Sequence, residues 1–360
     1  MSTDFIYKKD DPAAFWKYWE EYIKNADVGP RYTRLSQENF LEMSATMGLL
    51  QADRSFVYVP DGHPAGIAFV PIEKKGSLVT ISFYGTYTIA PLFANDNAAK
   101  KIFSAIDLVA REEKVDKIMF YVDPLNTDVS KYDLFQRFGY LNASILGYLI
   151  DLTLPGDLLR HCRKGHVSNI KDILKNKDYE IFYTDKAAPS YELHEEYRLM
   201  HHKAAGRATR SKQSFDSQFE KLKAGQAVLF GVRFKGAAVV YSYFEMYGAK
   251  GLYASSADDP DYKGLPVSHA LMLRAMEYLR DLGVKSLDVD RPASPSAQFD
   301  YYPDEKQLAI GRFKRGFGGT LVDCYRGVKY LSKEAFEADV ETFRKEYWKL
   351  QAGNDPTGQE

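Results

Sequence analysis

Phe56-Val-Tyr-Val59, a turn at Asp61-Gly62 and Ala65-Gly-Ile-Ala68 are answered much later by Val228-Leu-Phe-Gly231, a turn at Lys235-Gly236 and Ala237-Ala-Val-Val240. Each copy is a pair of β-branched and aromatic runs around a turn dipeptide, the pattern of an antiparallel hairpin. The match extends outward from there. In the first half, Leu78 to Tyr84 completes a meander, Pro91 and Asn97 precede a helix carrying Ile102, Ile106 and Val109, and the strand Lys117 to Val122 runs into Asp123-Pro124. In the second half, Ala227 to Val232, Ala237 to Tyr247 and Gly251 to Ser255 form the meander. Pro266 to Leu282 is then the helix and Val284 to Val289 the strand, running into Arg291-Pro292. A repeat at roughly 170 residues signals duplicated domains and not a short-period solenoid. The expected fold is α+β, with two tandem domains whose mixed, largely antiparallel sheets are flanked by helices. The first domain is expected over 1–150, the second over 151–330, and a terminal helix and disordered tail over 331–360.

The connecting segments are legible in the same terms. Asp11-Pro12 starts a helix with Phe15, Trp19, Tyr22 and Ile23 on one face, and Ser36 caps a second with Phe40, Met43 and Met47. Between them Arg31 and Arg34 either face an anionic ligand or belong to a solvated linker. A short helix near Tyr132 to Phe138 and a strand Leu141 to Ile150 close the first half. From Gly156 to Asp178, Arg160, Arg163, Lys164, Lys171, Lys175 and Lys177 ride on an amphipathic helix or helix pair with an apolar side of Leu158, Leu159, Val167, Ile170, Ile173 and Leu174. That basic face is either solvated or a phosphate-facing wall between the domains. Ser332 caps a last helix with Phe336, Val340, Phe343 and Trp348.

The chain has 360 residues, 45% of them hydrophobic, enough to bury a large core. With 48 Lys and Arg against 49 Asp and Glu, any basic function must be local, which argues against a dedicated DNA binder. Cys162 and Cys324 lie far apart with no CxxC or Cys/His spacing, so the reading is a reducing compartment and no structural metal. The first residues lack the apolar core of a signal peptide and no apolar run reaches membrane-spanning length, so the expected location is cytoplasmic, with a peripheral membrane contact left open.

Chemistry-bearing residues gather between Lys285 and Tyr325. The strand at Lys285 delivers Asp288 and Asp290 to its C-terminal end, where open sheets bind ligands. Each carboxylate there either takes a proton from a substrate or holds loop N–H groups. Ile310-Gly-Arg-Phe-Lys-Arg-Gly-Phe-Gly-Gly319 combines four glycines with three cations and reads as a Gly-rich turn entering a strand Thr320 to Tyr325, or as a backbone that approaches an anion.

At His201-His-Lys-Ala-Ala-Gly-Arg207-Ala-Thr-Arg210, at Ile310 to Gly319, and in Leu265 to Asp290, the sequence resembles the FemAB/FemX-like superfamily of tandem GNAT transferases, over most of residues 50–330. Such proteins move an aminoacyl group from aminoacyl-tRNA to an amine of a peptidoglycan precursor, and relatives are acyltransferases acting on other envelope glycans or lipids. The long charged coiled-coil insertion of some members is missing here. The resemblance implies that Phe313-Lys314 is the FK motif whose lysine handles an anionic acceptor or transition-state charge. A CoA donor would sit at Asp261-Tyr-Lys263-Gly264-Leu-Pro266, where Lys263 and Gly264 suit it, while Asp261 and Pro266 depart from the pattern.

The expected activity is a transferase that forms an amide on an amine of an envelope precursor, with no bound cofactor and with aminoacyl-tRNA or acyl-CoA as co-substrate. Asp288, Asp290 and Lys314 are the candidate catalytic residues. Arg207 and Arg210 either fork a phosphate or carboxylate or are solvated. His201 is an acid/base candidate or a structural histidine. Tyr253, Ser255 and His269 line the cleft if the meander and helix ends converge, and Tyr302 and Phe313 complete the candidate binding set, Tyr302 as a ring able to stack on a sugar or base. An acyl-CoA N-acyltransferase and a non-catalytic precursor-binding protein are the alternatives.

Overall fold

The computed structural model describes residues 4–126, 135–290 and 300–353. Strand β1 (Phe5–Tyr7) and helices α1 (Pro12–Asn25) and α2 (Arg34–Thr46) lead into β2 (Leu50–Asp53), β3 (Phe56–Tyr58), β4 (Gly66–Ala68), β5 (Pro71–Lys75), β6 (Leu78–Ile81), β7 (Thr88–Ile89) and β8 (Leu92–Phe93). Helix α3 (Asp96–Glu112), β9 (Lys117–Tyr121), β10 (Leu141–Asn142) and β11 (Ile145–Asp151) follow. The second half runs α4 (Lys164–Lys175), β12 (Tyr179–Thr184), α5 (Tyr191–Ala205), α6 (Lys212–Lys223), β13 (Ala227–Phe234), β14 (Ala237–Tyr247) and β15 (Lys250–Asp258). It continues through α7 (Val267–Asp281), β16 (Ser286–Asp288), α8 (Glu305–Lys314), β17 (Thr320–Cys324), β18 (Arg326–Tyr330) and α9 (Lys333–Gly353).

The duplication is visible in the pairing. Both halves contain an antiparallel hairpin, a helix and then a strand laid parallel to its neighbour, β9 on β6 and β16 on β15. Helix α3 presses Ile102, Phe103, Ile106 and Val109 onto the first sheet, and α7 presses Leu271, Met276 and Leu279 onto the second, all buried. Each such side chain contributes roughly 1.5–3 kcal/mol on leaving water. On the opposite face of the second sheet α5 and α6 cover Tyr241 and Tyr243 with Tyr197 and Phe215.

Four expectations change. The first meander is one hairpin bent so that its halves join different sheets: β3 and β4 lie in the order β1-β3-β4-β8, whereas β5 and β2 lie in β10-β18-β9-β6-β5-β2. At the bend the Ser55 hydroxyl accepts from Val70 N at 3.0 Å, replacing a ladder bond, and Pro71 has no N–H to contribute. The second helix begins at Thr33, whose hydroxyl accepts from Ser36 N, and Ser36 sits inside the first turn. Residues 305–314 form α8 and not a Gly-rich turn, because Asp304 and Gln307 close a capping box that starts a helix. Its glycines admit protein and not ligand: a Cβ on Gly316 would fall 2.0 Å from the His166 ring, and one on Gly318 2.4 Å from the His161 carbonyl.

The fourth change concerns the boundary after residue 150. The stretch Leu141 to Ile150 is interrupted at Ala143-Ser144, and its partner is interrupted at Tyr325, so β10–β11 and β17–β18 form a two-stranded ribbon crossing from one sheet to the other. Thus β18 pairs with β9 in the first sheet, and β11 lies between β16 and β17 in the second, whose order is β12-β13-β14-β15-β16-β11-β17. Chain order alone does not divide the sheets. Arg291-Pro292, residues 132–134 of the expected short helix, and the tail after Gly353 lie outside the described residues, while Phe135–Phe138 form a short 3-10 turn. Among the described residues no helix is long and apolar enough to cross a membrane.

Gly318 has φ +80° in addition to its contact with the His161 carbonyl. Gly318→Ala is expected to cost about 1–3 kcal/mol, read as a lower urea midpoint with an unchanged m-value.

Candidate active site

Each of the two parallel strands brings a carboxylate to its C-terminal end, Asp123 just after β9 and Asp288 as the last residue of β16. The crossing ribbon turns these ends toward each other, and the turn Pro30–Tyr32 inserts Arg31 between them. Arg31 Nη1 donates to Asp288 Oδ2 at 2.8 Å and to Asp123 Oδ1 at 3.2 Å, and Nη2 lies 3.7 Å from Asp290 Oδ1. Arg31 is 7% exposed, Asp123 0% and Asp288 2%, so the expectation of a solvated linker is replaced by a buried charge cluster. Gly29 permits it, since a Cβ there would sit 2.8 Å from Asp123 Oδ2. Burial opposes the guanidinium charge, but Tyr121, Asp123, Asp288 and Asp290 more than offset it and hold its pKa above the ordinary value. Burial raises the Asp288 pKa against the pull of Arg31, with Asp290 and Asp123 adding to the rise.

Asp288 is engaged on both oxygens, because Oδ1 accepts from Asp290 N at 2.8 Å. That bond draws the chain into a left-handed turn, with Asp290 at φ 63°, a conformation Asp adopts more readily than most residues. The Asp290 side chain is 43% exposed. It borders a cavity of about 400 Å³ between the domains.

The first domain supplies Phe83, Tyr84, Tyr87 and Tyr121 to this cavity, and α2 adds Phe40 and Met43. The second domain supplies His201, Thr209, Arg210, Tyr253 and Ser255. Arg210 lies over the Phe215 ring at 3.9 Å and donates to Gln218 at 2.8 Å and to the Tyr197 hydroxyl at 3.2 Å, which in turn shares a 2.6 Å bond with Ser255. His201 Nδ1 lies 3.0 Å from the Thr209 hydroxyl, and Tyr84 of the first domain donates to the Thr209 carbonyl at 3.4 Å. Burial, then Arg210 and His202, holds the His201 pKa down to about 4, so the ring is neutral at pH 7. A buried pair, Lys221 to Glu245 at 2.9 Å, completes the wall.

Of the sequence candidates the fold therefore gathers Asp288, Asp290, His201, Arg210, Tyr253 and Ser255. Lys314 is buried one ring behind, with Nζ 5.7 Å from the Tyr253 centroid and no acidic partner among the described residues. Phe313 and His269 lie outside the cavity lining, in an aromatic cluster with His166 and Phe317. Burial and then His166 hold the His269 pKa at about 4, and its Nδ1–H donates to the Pro266 carbonyl at 3.1 Å. Arg207 and Lys263 are exposed away from the cavity. Tyr302 accepts from Asp300 N at 3.2 Å and packs toward Phe343. The sequence reading weighs Arg31 as facing an anionic ligand or as part of a solvated linker and takes Asp123-Pro124 only as a marker of the repeat; it does not join the two, although Asp123 is marked by its place just past the end of a central strand. Candidate metal-ligating atoms of His194, Glu195 and Asp216 lie within 4.8 Å of one another, but Arg198 already forks Glu195 and Lys212 pairs with Asp216.

No family model and no curated protein sequence matches the chain. Solved structures do. The crystal structure of FemX superposes with a TM-score of 0.64 at 15% identity, covering 90% of this chain and 98% of that one. The chain shares the fold of that structure. L-PGS from Bacillus licheniformis superposes with a TM-score of 0.58 at 13% identity, over 91% of this chain and 96% of that one. A tandem GNAT protein from the clavulanic acid biosynthesis pathway gives 0.52 at 12%, over 91% and 98%. At such identities the likeness is one of fold alone, and the chemistry rests on the cavity itself.

Arg31→Met leaves Asp123 and Asp288 buried without their cation and is expected to cost about 3–5 kcal/mol at pH 7. Without Arg31 the native carboxylate pKa lies further above its unfolded value, so the native state binds more protons and the penalty is relieved as pH falls. Urea unfolding of the variant at pH 7 and pH 5 measures this, with the smaller loss expected at pH 5.

Proposed function

We propose that the chain is a cytoplasmic transferase that forms an amide by moving an acyl or aminoacyl group onto an amine of a cell-envelope precursor. The observation that carries this reading is the cavity between two GNAT-type domains, where the strand-end Asp290 faces cationic and hydroxylic groups of the opposite wall. Amide formation needs a neutral amine, a polarised carbonyl and a protonated leaving group. Asp290 takes the amine proton. Asp288, locked by Arg31, fixes the Asp290 backbone and supplies negative potential that draws an ammonium into the cavity. Arg210 and Lys314 supply positive potential for anionic groups of donor or acceptor, and the tyrosines give flat surfaces for a sugar or base.

The donor in this reading is aminoacyl-tRNA. An acyl-CoA donor is the second reading, favoured by the start of α7: Pro266 makes no side-chain cap and Lys263 is exposed beside it, leaving first-turn N–H groups for a pyrophosphate.

Purified chain supplied with panels of aminoacyl-tRNA and acyl-CoA donors and amine acceptors is expected to transfer the acyl group, with Asp290→Asn and Lys314→Ala each lowering kcat roughly 10²-fold. Thermal stabilisation by CoA and not by tRNA supports the second reading. Ligand binding with no turnover of any donor, unchanged by Asp290→Asn, overturns both in favour of a binding protein.

A further inference from the structure

We propose that His201 is the hydrogen-bond donor to the carbonyl oxygen of the transferred group, presenting Nε2–H to the cavity, and that Thr209 is the positioning residue that fixes this tautomer. The proposal rests on the acyl-transfer reading above and adds the electrophilic half of its machinery.

His201 stands in the last turns of α5 and lines the cavity beside Arg210 and Ser255. Its Nδ1 is occupied by the Thr209 hydroxyl at 3.0 Å, whereas Nε2 has no partner among the described residues. The Thr209 hydroxyl has no other acceptor among those residues. Donating its proton to Nδ1 therefore satisfies both groups and leaves the ring proton on Nε2; the opposite tautomer would leave the hydroxyl proton without an acceptor. The loop is pinned from across the cleft by the Tyr84 hydroxyl on the Thr209 carbonyl.

The surroundings keep the ring neutral. The charged or titratable groups facing it are Arg210 and His202, both of which disfavour a second proton. The Tyr197 and Phe215 rings pack edge-on at 5.9 and 5.5 Å. An imidazole that resists protonation is a poor base at pH 7, yet it is a well-fixed neutral donor, able to polarise a carbonyl without giving its proton away. Asp290 provides the base, so the two roles separate onto two groups.

In the step, the amine nitrogen bonds to the carbonyl carbon and the π pair moves onto oxygen, where His201 Nε2–H holds it. Return of that pair breaks the C–O bond of an ester donor or the C–S bond of a thioester. The proton lost by the amine passes through Asp290 to the leaving oxygen or sulfur, and His201 keeps its own throughout.

Full-length chain labelled with 15N-histidine, with His201→Gln to assign the resonance, reports the tautomer directly in a long-range 1H–15N correlation spectrum. The expected result is Nε2–H at His201, no titration between pH 8 and pH 5, and a shift toward Nδ1–H in Thr209→Val. An Nδ1–H tautomer, or a protonated ring at pH 7, overturns the proposal whether or not any donor turns over. With a donor that the wild-type chain uses, His201→Ala is expected to lower kcat roughly 10²–10³-fold with KM changed less than about threefold. His201→Gln, which keeps an N–H, should recover about tenfold of that loss. Thermal melts of each variant separate lost folding from a lost donor. Unchanged kcat in His201→Ala overturns this proposal and leaves the transfer reading standing, whereas a wild-type chain inert toward every donor removes the transfer reading itself.

Discussion

One guanidinium holds the two halves of the molecule in register. Arg31 touches Asp123 at the end of one central strand and Asp288 at the end of the other, with almost no access to water. Two carboxylates that close together repel, and each is costly to bury alone, so the arrangement exists only with the cation between them. Asp290 hangs from Asp288 through a backbone bond, and the cavity opens beside it. The placement of the candidate base thus depends on an ion pair made by a residue far from it in sequence.

The second constraint is the ribbon of β10–β11 and β17–β18. Each sheet borrows a strand from the other half of the chain, so the sheets are stitched by backbone hydrogen bonds and not only by surface contact. A cleft built this way has walls from both domains: Tyr84 and Tyr87 from the first, His201 and Ser255 from the second. Both central strands bring a buried carboxylate to their ends, Asp123 and Asp288, and the second continues to the exposed carboxylate of Asp290.

The glycine-rich stretch near Lys314 shows where local pattern misleads. Glycine marks a close approach, but the chain does not say what approaches. Here the neighbours are the His166 ring and the His161 and Leu149 carbonyls, and two of the three cations, Arg312 and Lys314, lie on a helix started by a capping box at Asp304. Arg31 misleads in the opposite direction: an arginine after Gly-Pro between two helices has the local signature of a solvated link, and only its distant partners make it part of the core.

Sequence by itself determined the α+β class, the duplication, the order of hairpin, helix and strand in each half, the helix starts at Asp11 and Ser332, and the strand end carrying Asp288 and Asp290. Those features follow from periodicity and turn chemistry, which act over a few residues and repeat when a domain repeats. Only the tertiary structure decided that β18 belongs with β9 and β11 with β16, that Arg31 joins Asp123 to Asp288, and that His201, Arg210, Tyr253 and Ser255 face Asp290 across one cavity while His269, Lys263, Arg207 and Tyr302 do not. The reason is physical: strand exchange and buried ion pairs are settled by contacts between segments up to some 257 positions apart, and no local propensity encodes which distant partner will complete a ladder or neutralise a charge.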